Sequence, residues 1–205
     1  MELSTITKEI QKIVGVTVDG VYGPQTGNAI LNTLNAEVSE EVPDAADSNY
    51  PEVFKPTPNV SSSTISPIGV VLHHSSGSYN GSVDWILKTE SQVSYHVIID
   101  KDGSRTVFAE DNKRCWHAGK SVWNGRSDCN SFMIGLAFSE DTNTRELTEA
   151  EVASAVEWLV PRFKKWGWPT DLNTVTTHAI VSPGRKDDVD TRAYLRITTA
   201  LSKEL

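Results

Sequence analysis

Five of the chain's nine prolines fall within residues 36–67, at Pro43, Pro51, Pro56, Pro58 and Pro67, among six acids (Glu37, Glu40, Glu41, Asp44, Asp47, Glu52) and a single base, Lys55. Like charge repels itself and proline withholds a backbone donor, so such a stretch cannot bury enough apolar surface to offset the entropy of ordering it. An extended, mobile acidic linker is therefore expected at 36–64. It divides the chain into a unit with only a marginal core, 1–35, and a domain of ordinary size, 65–205. The segment 36–67 also holds −5 of the formal charge of −8, leaving the rest near neutral. No Lys/Arg cluster offers a footprint for a phosphate backbone, so no nucleic-acid partner is expected. With 38% hydrophobic residues and no run near the roughly 18 apolar residues of a span, no membrane insertion is expected either.

In the first unit Leu3, Ile6, Ile10, Ile13 and Val14 share one helical face, and Gly15 follows as a stop. Asp19-Gly20-Val21-Tyr22-Gly23 supplies a tight turn, and Pro24 suits the first turn of a second helix running to about Leu34. A helix, turn and helix of this size reads as a binding module rather than an enzyme.

The larger domain alternates apolar runs with helical patterns. Ile68 to His73 and Phe132 to Phe138 read as buried central strands, and Val93 to Asp100 with Arg105 to Phe108 as a hairpin across Asp102-Gly103. Val83, Ile86 and Leu87 suggest a short helix. Thr148 and Glu151 form a capping box before a helix whose apolar face runs from Val152 to Trp166, with an expected kink at Pro161 and an end at Gly167. The expected class is α/β, a mixed central sheet flanked by helices, with the small helical module ahead of it.

All five histidines lie in this domain. Strand alternation sends His73 and His74 to opposite faces, so at most one serves a common site. The segment His178-Ala-Ile-Val-Ser-Pro-Gly-Arg-Lys-Asp187-Asp188 can leave a strand, turn and return, bringing His178 back against an acid; the plain alternative is a charged surface loop. Two neutral imidazoles and one carboxylate leave Zn²⁺ with a net charge of +1 and an open fourth position, the arrangement of catalytic zinc. Cys115 and Cys129 lack metal or redox spacing and read as reduced thiols, a single bridge being the lesser reading. A thiol hydrolase built on Cys115 and His117 is disfavoured, because neighbours two apart on a strand point in parallel rather than at each other.

Val71-Leu72-His73-His74-Ser75-Ser76-Gly77, Val93-Ser94-Tyr95-His96 to Asp100, Trp116-His117-Ala118-Gly119 with Trp123, Arg126 and Asn130, Ile134-Gly135, and the His178 to Asp188 segment resemble, in order, the type-2 family of zinc N-acetylmuramoyl-L-alanine amidases, which includes phage lysozyme-type enzymes and peptidoglycan recognition proteins. The resemblance covers about residues 65–195. It implies one Zn²⁺ per chain held by His73, His178 and Asp188, the acid standing ten residues beyond its histidine. It implies Lys186 as the catalytic lysine, Tyr95 beside the zinc water, and hydrolysis of the amide between N-acetylmuramic acid and L-alanine in peptidoglycan. His117, Trp116, Trp123, Asn130 and Arg126 would line the substrate groove, while His74 and His96 would be structural, His96 on the face opposite Tyr95. One departure stands out: where many members carry a glutamate after Ile-Gly-Ile, this chain has Ala137, leaving Tyr95 and Lys186, or another acid such as Glu140, to serve. Asp19, Gly20, Tyr22 and Gly23 resemble the signature of small peptidoglycan-binding modules.

The opening residues carry acid where a secretory signal would be basic and then apolar, so no classical export signal is expected. That suits a monomeric phage endolysin made in the cytoplasm and released to the wall by a holin, or an injected effector. The alternatives are a cytoplasmic muropeptide-recycling amidase and a non-catalytic peptidoglycan receptor.

Overall fold

The computed structural model describes Lys8, Gln11, Lys12, Thr17, Val18 and residues 50–205. The chain divides into two units, Met1–Asp47 and Ser48–Leu205. Lys8, Gln11 and Lys12 are helical. The second helix of the small unit and the turn bearing Asp19, Gly20, Tyr22 and Gly23 lie outside the described residues.

The larger unit starts well before residue 65, which corrects the expected linker. Glu52–Phe54 is strand β1 and Val60–Thr64 strand β2. Between them Thr57 and Asn59 are buried, and both donate to the Ile86 carbonyl, at 2.7 and 3.0 Å. The prolines did not forbid this, because they sit outside the paired residues of edge and two-stranded ladders. Charge did not forbid it either: Glu52 is paired with Arg105 at 3.0 Å.

Beyond β2 come β3 (Val70–His74), α1 (Tyr79–Ile86), β4 (Val97–Ile99), β5 (Arg105–Val107), β6 (Lys113–Cys115), β7 (Val122–Trp123), β8 (Arg126–Ser127) and β9 (Ile134–Phe138). The chain ends with α2 (Glu149–Trp166), β10 (Val175–Thr177), α3 (His178–Val181) and α4 (Thr191–Glu204). Six strands form one mixed sheet in the order β1-β5-β4-β9-β3-β10, antiparallel only between β5 and β4. β2 pairs with β6, and β7 with β8, as separate antiparallel ribbons.

Alternation along the strands gives the sheet two unlike faces. Val70, Leu72, Val97, Ile99, Ile134, Leu136 and Phe138 point to one side, where they pack on the apolar stripes of α2 and α4. Val71, Ile98 and Ala137 point to the other, under short loops and α1. The capping box closes in both directions, Glu151 N–H donating to Thr148 Oγ1 at 3.0 Å and Thr148 N–H to Glu151 Oε2 at 2.8 Å. α2 runs continuously through Pro161, which lies on the exposed side where a carbonyl left unpaired meets water. It stops at Gly167, whose φ of 64° is the left-handed cap glycine adopts freely. Among the described residues no helix is long and apolar enough to cross a membrane. Cys115 and Cys129 are buried free thiols, and burial pushes Cys115 up to about 12, which removes it as a nucleophile.

Candidate functional site

Because Val70 and Leu72 are committed to the helices, Val71 and His73 must face the other side. β10 lies parallel to β3 with Thr177 opposite Leu72, so the next residue, His178, emerges beside His73. Thr177 caps the short α3 by accepting from Ile180 N–H. The chain then turns through Gly184, at φ 73°, and returns so that Asp188 O accepts from Ala179 N–H at 2.6 Å. The outcome is a triangle of His73 Nδ1, His178 Nδ1 and Asp188 Oδ2, with sides of 3.0, 3.1 and 3.3 Å. All three residues are buried.

This donor set fits a zinc ion. Bonds of about 2.0–2.1 Å in tetrahedral geometry separate ligand atoms by roughly 3.3–3.4 Å, close to the triangle found. Protonation also favours ligation. Burial, reinforced by His178, pushes His73 down to about 4, although contact with Asp188 works the other way. Burial alone would raise the Asp188 carboxyl, but contacts with His178 and His73 outweigh it and keep the group ionised. At neutral pH His73 is therefore uncharged and Asp188 anionic, the states in which such groups bind a metal.

Behind the triangle, His178 Nε2 lies 3.1 Å from Ala118 O, His73 Nε2 lies 3.0 Å from His117 Nδ1, and His117 Nε2 lies 3.1 Å from Met133 O. Asn130 Oδ1 accepts from the N–H of His117 and of Ala118, at 3.1 and 2.7 Å. Gly135 is needed beneath His117, because a Cβ there would sit 2.6 Å from its Cγ. His96 accepts from Gly135 N–H at 3.0 Å and holds Lys113 O at 2.9 Å, a structural role. Its expected place opposite Tyr95 does not hold: β4 begins only at Val97, so alternation does not govern the pair, and both approach the histidines. Tyr95 lies 5.1 Å from His73 and His96 6.0 Å from His117 between ring centroids.

A cleft of about 360 Å³ opens onto the triangle, and Tyr95, Trp116, His117, Asn130, Arg185 and Lys186 are among its walls. Lys186 is exposed at the rim. Trp116 is fixed by its indole N–H donating to Ser61 Oγ at 2.9 Å. Trp123 and Arg126 lie off the cleft, contrary to the expected groove. Trp123 packs against the cluster around Val71 and Met133, and the Arg126 guanidinium sits 3.9 Å over the Phe132 ring. Asn130 and His117 reach the cleft, but their polar atoms are spent inside the protein, as just described. Ala137 stands in register with His73 and packs with Val83, Ile86, Ile98 and Phe108. Glu140 is committed to Lys101, 2.7 Å away, and to Arg145, so it does not replace the missing glutamate. The His74 ring turns to Thr142 and Asp141. Arg185 lies within the His178 to Asp188 segment, and no sequence pattern marks it for a role. Its guanidinium donates to Ala118 O, Lys120 O and Ser182 Oγ, tying the 117–121 loop to the turn that carries Lys186.

Residues 63–190 match the Amidase_2 family, described as N-acetylmuramoyl-L-alanine amidase. The chain is 36% identical over 100 residues to the 1,6-anhydro-N-acetylmuramyl-L-alanine amidase AmpD of Citrobacter freundii, covering 47% of this chain and 50% of that protein. It thus spans about half the length of that relative. It is 36% identical over 146 residues to N-acetylmuramoyl-L-alanine amidase A of Achromobacter lyticus, 66% of this chain and 82% of that one. The fold resembles that of the N-acetylmuramoyl-L-alanine amidase LysC from Clostridium intestinale, with a TM-score of 0.59 at 19% identity over 76% of this chain and 98% of that one.

Proposed function

Because the chain belongs to the N-acetylmuramoyl-L-alanine amidase family, we propose that it hydrolyses the amide between the lactyl group of N-acetylmuramic acid and L-alanine in peptidoglycan, with one zinc ion held by His73, His178 and Asp188. The buried nitrogen, nitrogen and carboxylate triangle at the floor of an open cleft carries this reading. When bound, zinc polarises the scissile carbonyl and brings the pKa of a coordinated water towards neutrality.

The protein's own groups supply the rest. Burial, then the charge of Asp188, pushes the Tyr95 phenol above its ordinary value, so at neutral pH it can donate a hydrogen bond but not take a proton. It orients the attacking water or donates to the developing oxyanion. Lys186 sets its amine on the exposed rim, where it stabilises negative charge that appears only in the transition state. Trp116, held by Ser61, presents a flat apolar wall to the substrate.

The role we favour is digestion of intact murein, as by a phage endolysin released to the wall, because the Asp19 to Gly23 motif resembles a wall-binding signature. The name of the Citrobacter relative favours a second role, recycling of soluble 1,6-anhydromuropeptides. Incubating the full chain with purified sacculi and, separately, with an anhydromuramyl peptide, followed by mass spectrometry, tests both. Free stem peptides from sacculi, lost on adding chelator, support the first role; release from the soluble substrate alone supports the second. Binding to sacculi with no product from either substrate leaves a receptor and overturns the amidase reading.

A further inference from the structure

We propose that His117 is a positioning residue, not a substrate contact: it fixes the proton of His73 on Nε2, so that Nδ1 faces the metal site as a bare lone pair. This rests on the zinc reading above. A carbonyl can only accept, so Met133 O, 3.1 Å from His117 Nε2, places the proton of the neutral ring there. His117 Nδ1 is then an acceptor, and its partner 3.0 Å away, His73 Nε2, has to donate. A neutral imidazole carries one ring proton, so His73 Nδ1 is left bare at the point where it meets His178 Nδ1 and Asp188 Oδ2. His178 reaches the same state directly, by donating from Nε2 to Ala118 O. Arg185 Nη2 also lies 3.3 Å from that nitrogen, but both groups donate to the one Ala118 oxygen, which accounts for their closeness. Two backbone carbonyls therefore impose one tautomer on both ligands, one of them through an intervening ring.

The fold holds that ring in place from two sides. Asn130 clamps its backbone, and any side chain at position 135 would strike it. A histidine that read substrate would keep a nitrogen for the cleft, whereas both nitrogens of His117 are occupied within the protein.

The test uses the full chain as wild type, His117→Leu and His117→Gln. Zinc affinity is measured by competition with a chromophoric chelator, histidine tautomers by ¹⁵N NMR on zinc-free protein, and kcat and KM on a muropeptide. Wild type is expected to show Nε2–H on both His73 and His117. The leucine variant is expected to lose roughly 10- to 100-fold in zinc affinity and to show mixed tautomers at His73, with KM little changed. Glutamine, which can accept from His73 and donate to Met133 O, is expected to restore most of the affinity. An Nδ1–H tautomer at His73 in wild type overturns the proposal whatever the variants do. So does a leucine variant with undiminished zinc affinity and a raised KM. Wild type that takes up no zinc would sink the zinc reading instead, and the His73 tautomer would still decide the relay.

Discussion

The two faces of the central sheet are built from the same strands and differ in kind. On the helix side Val70, Leu72, Ile134, Leu136 and Phe138 meet α2 and α4 through apolar packing, which has no direction and tolerates exchange of one aliphatic for another of similar volume. On the opposite side the neighbouring positions are His73, Gly135 and Ala137, with His96 and His117 packed on Gly135. There His96 and His117 have both ring nitrogens engaged within the protein, and a displacement of an ångström breaks a bond rather than loosening a contact. One face therefore carries stability and the other chemistry, and alternation along a strand is what keeps them apart.

The sharpest way to break that comparison is His178→Ala. Removing one corner of the triangle is expected to abolish zinc uptake and bring turnover to background; metal analysis beside product release checks it. Lys186→Ala should keep the metal and lower kcat by roughly 10²–10³, as loss of one oxyanion donor does elsewhere. Turnover equal to wild type would remove Lys186 from the mechanism. Leu136→Ala, on the helix side, is expected to cost about 2–5 kcal/mol in denaturant unfolding while leaving kcat per folded molecule unchanged. A lowered kcat would show that the faces are coupled.

Acid separates the faces more gently. Burial pushes His96 down to about 4, whereas unfolded it titrates near 6.5. Between those values the unfolded chain binds a proton that the folded one refuses, so stability is complete above about pH 6.5 and is lost as pH falls towards 4. The loss is about 3 kcal/mol. Unfolding curves across that range should flatten in His96→Gln relative to wild type. Smallest of all, Arg126→Ala should leave KM for a muropeptide within about twofold, since its guanidinium serves Phe132 and not the cleft; this reflects the small effect usual for exposed substitutions.

Much of the fold was legible because its signals are local. β3 and β9 announced themselves as β-branched apolar runs, and Thr148 with Glu151 marked the start of α2 through contacts three residues apart. The stretch 50–64 departs from the expected linker for the opposite reason: β1 and β2 owe their order to distant partners, Arg105 and the Ile86 carbonyl, which no local composition reveals. In the same way Trp123 and Arg126 belong to a recognisable motif, yet which side of a short ribbon faces the cleft depends on Phe132 and Met133 beneath it.

By itself the amino-acid order determined which side chains were available and which of them share a strand face, since the periods of strand and helix are properties of the backbone. Only the tertiary structure decided that Nδ1 rather than Nε2 of each histidine meets Asp188, and that His117 serves His73 instead of the cleft. Those choices are made by carbonyls of Ala118 and Met133, 60 and 16 residues away from the imidazoles that answer to them, and hydrogen bonds across such separations exist only once the chain has closed around them.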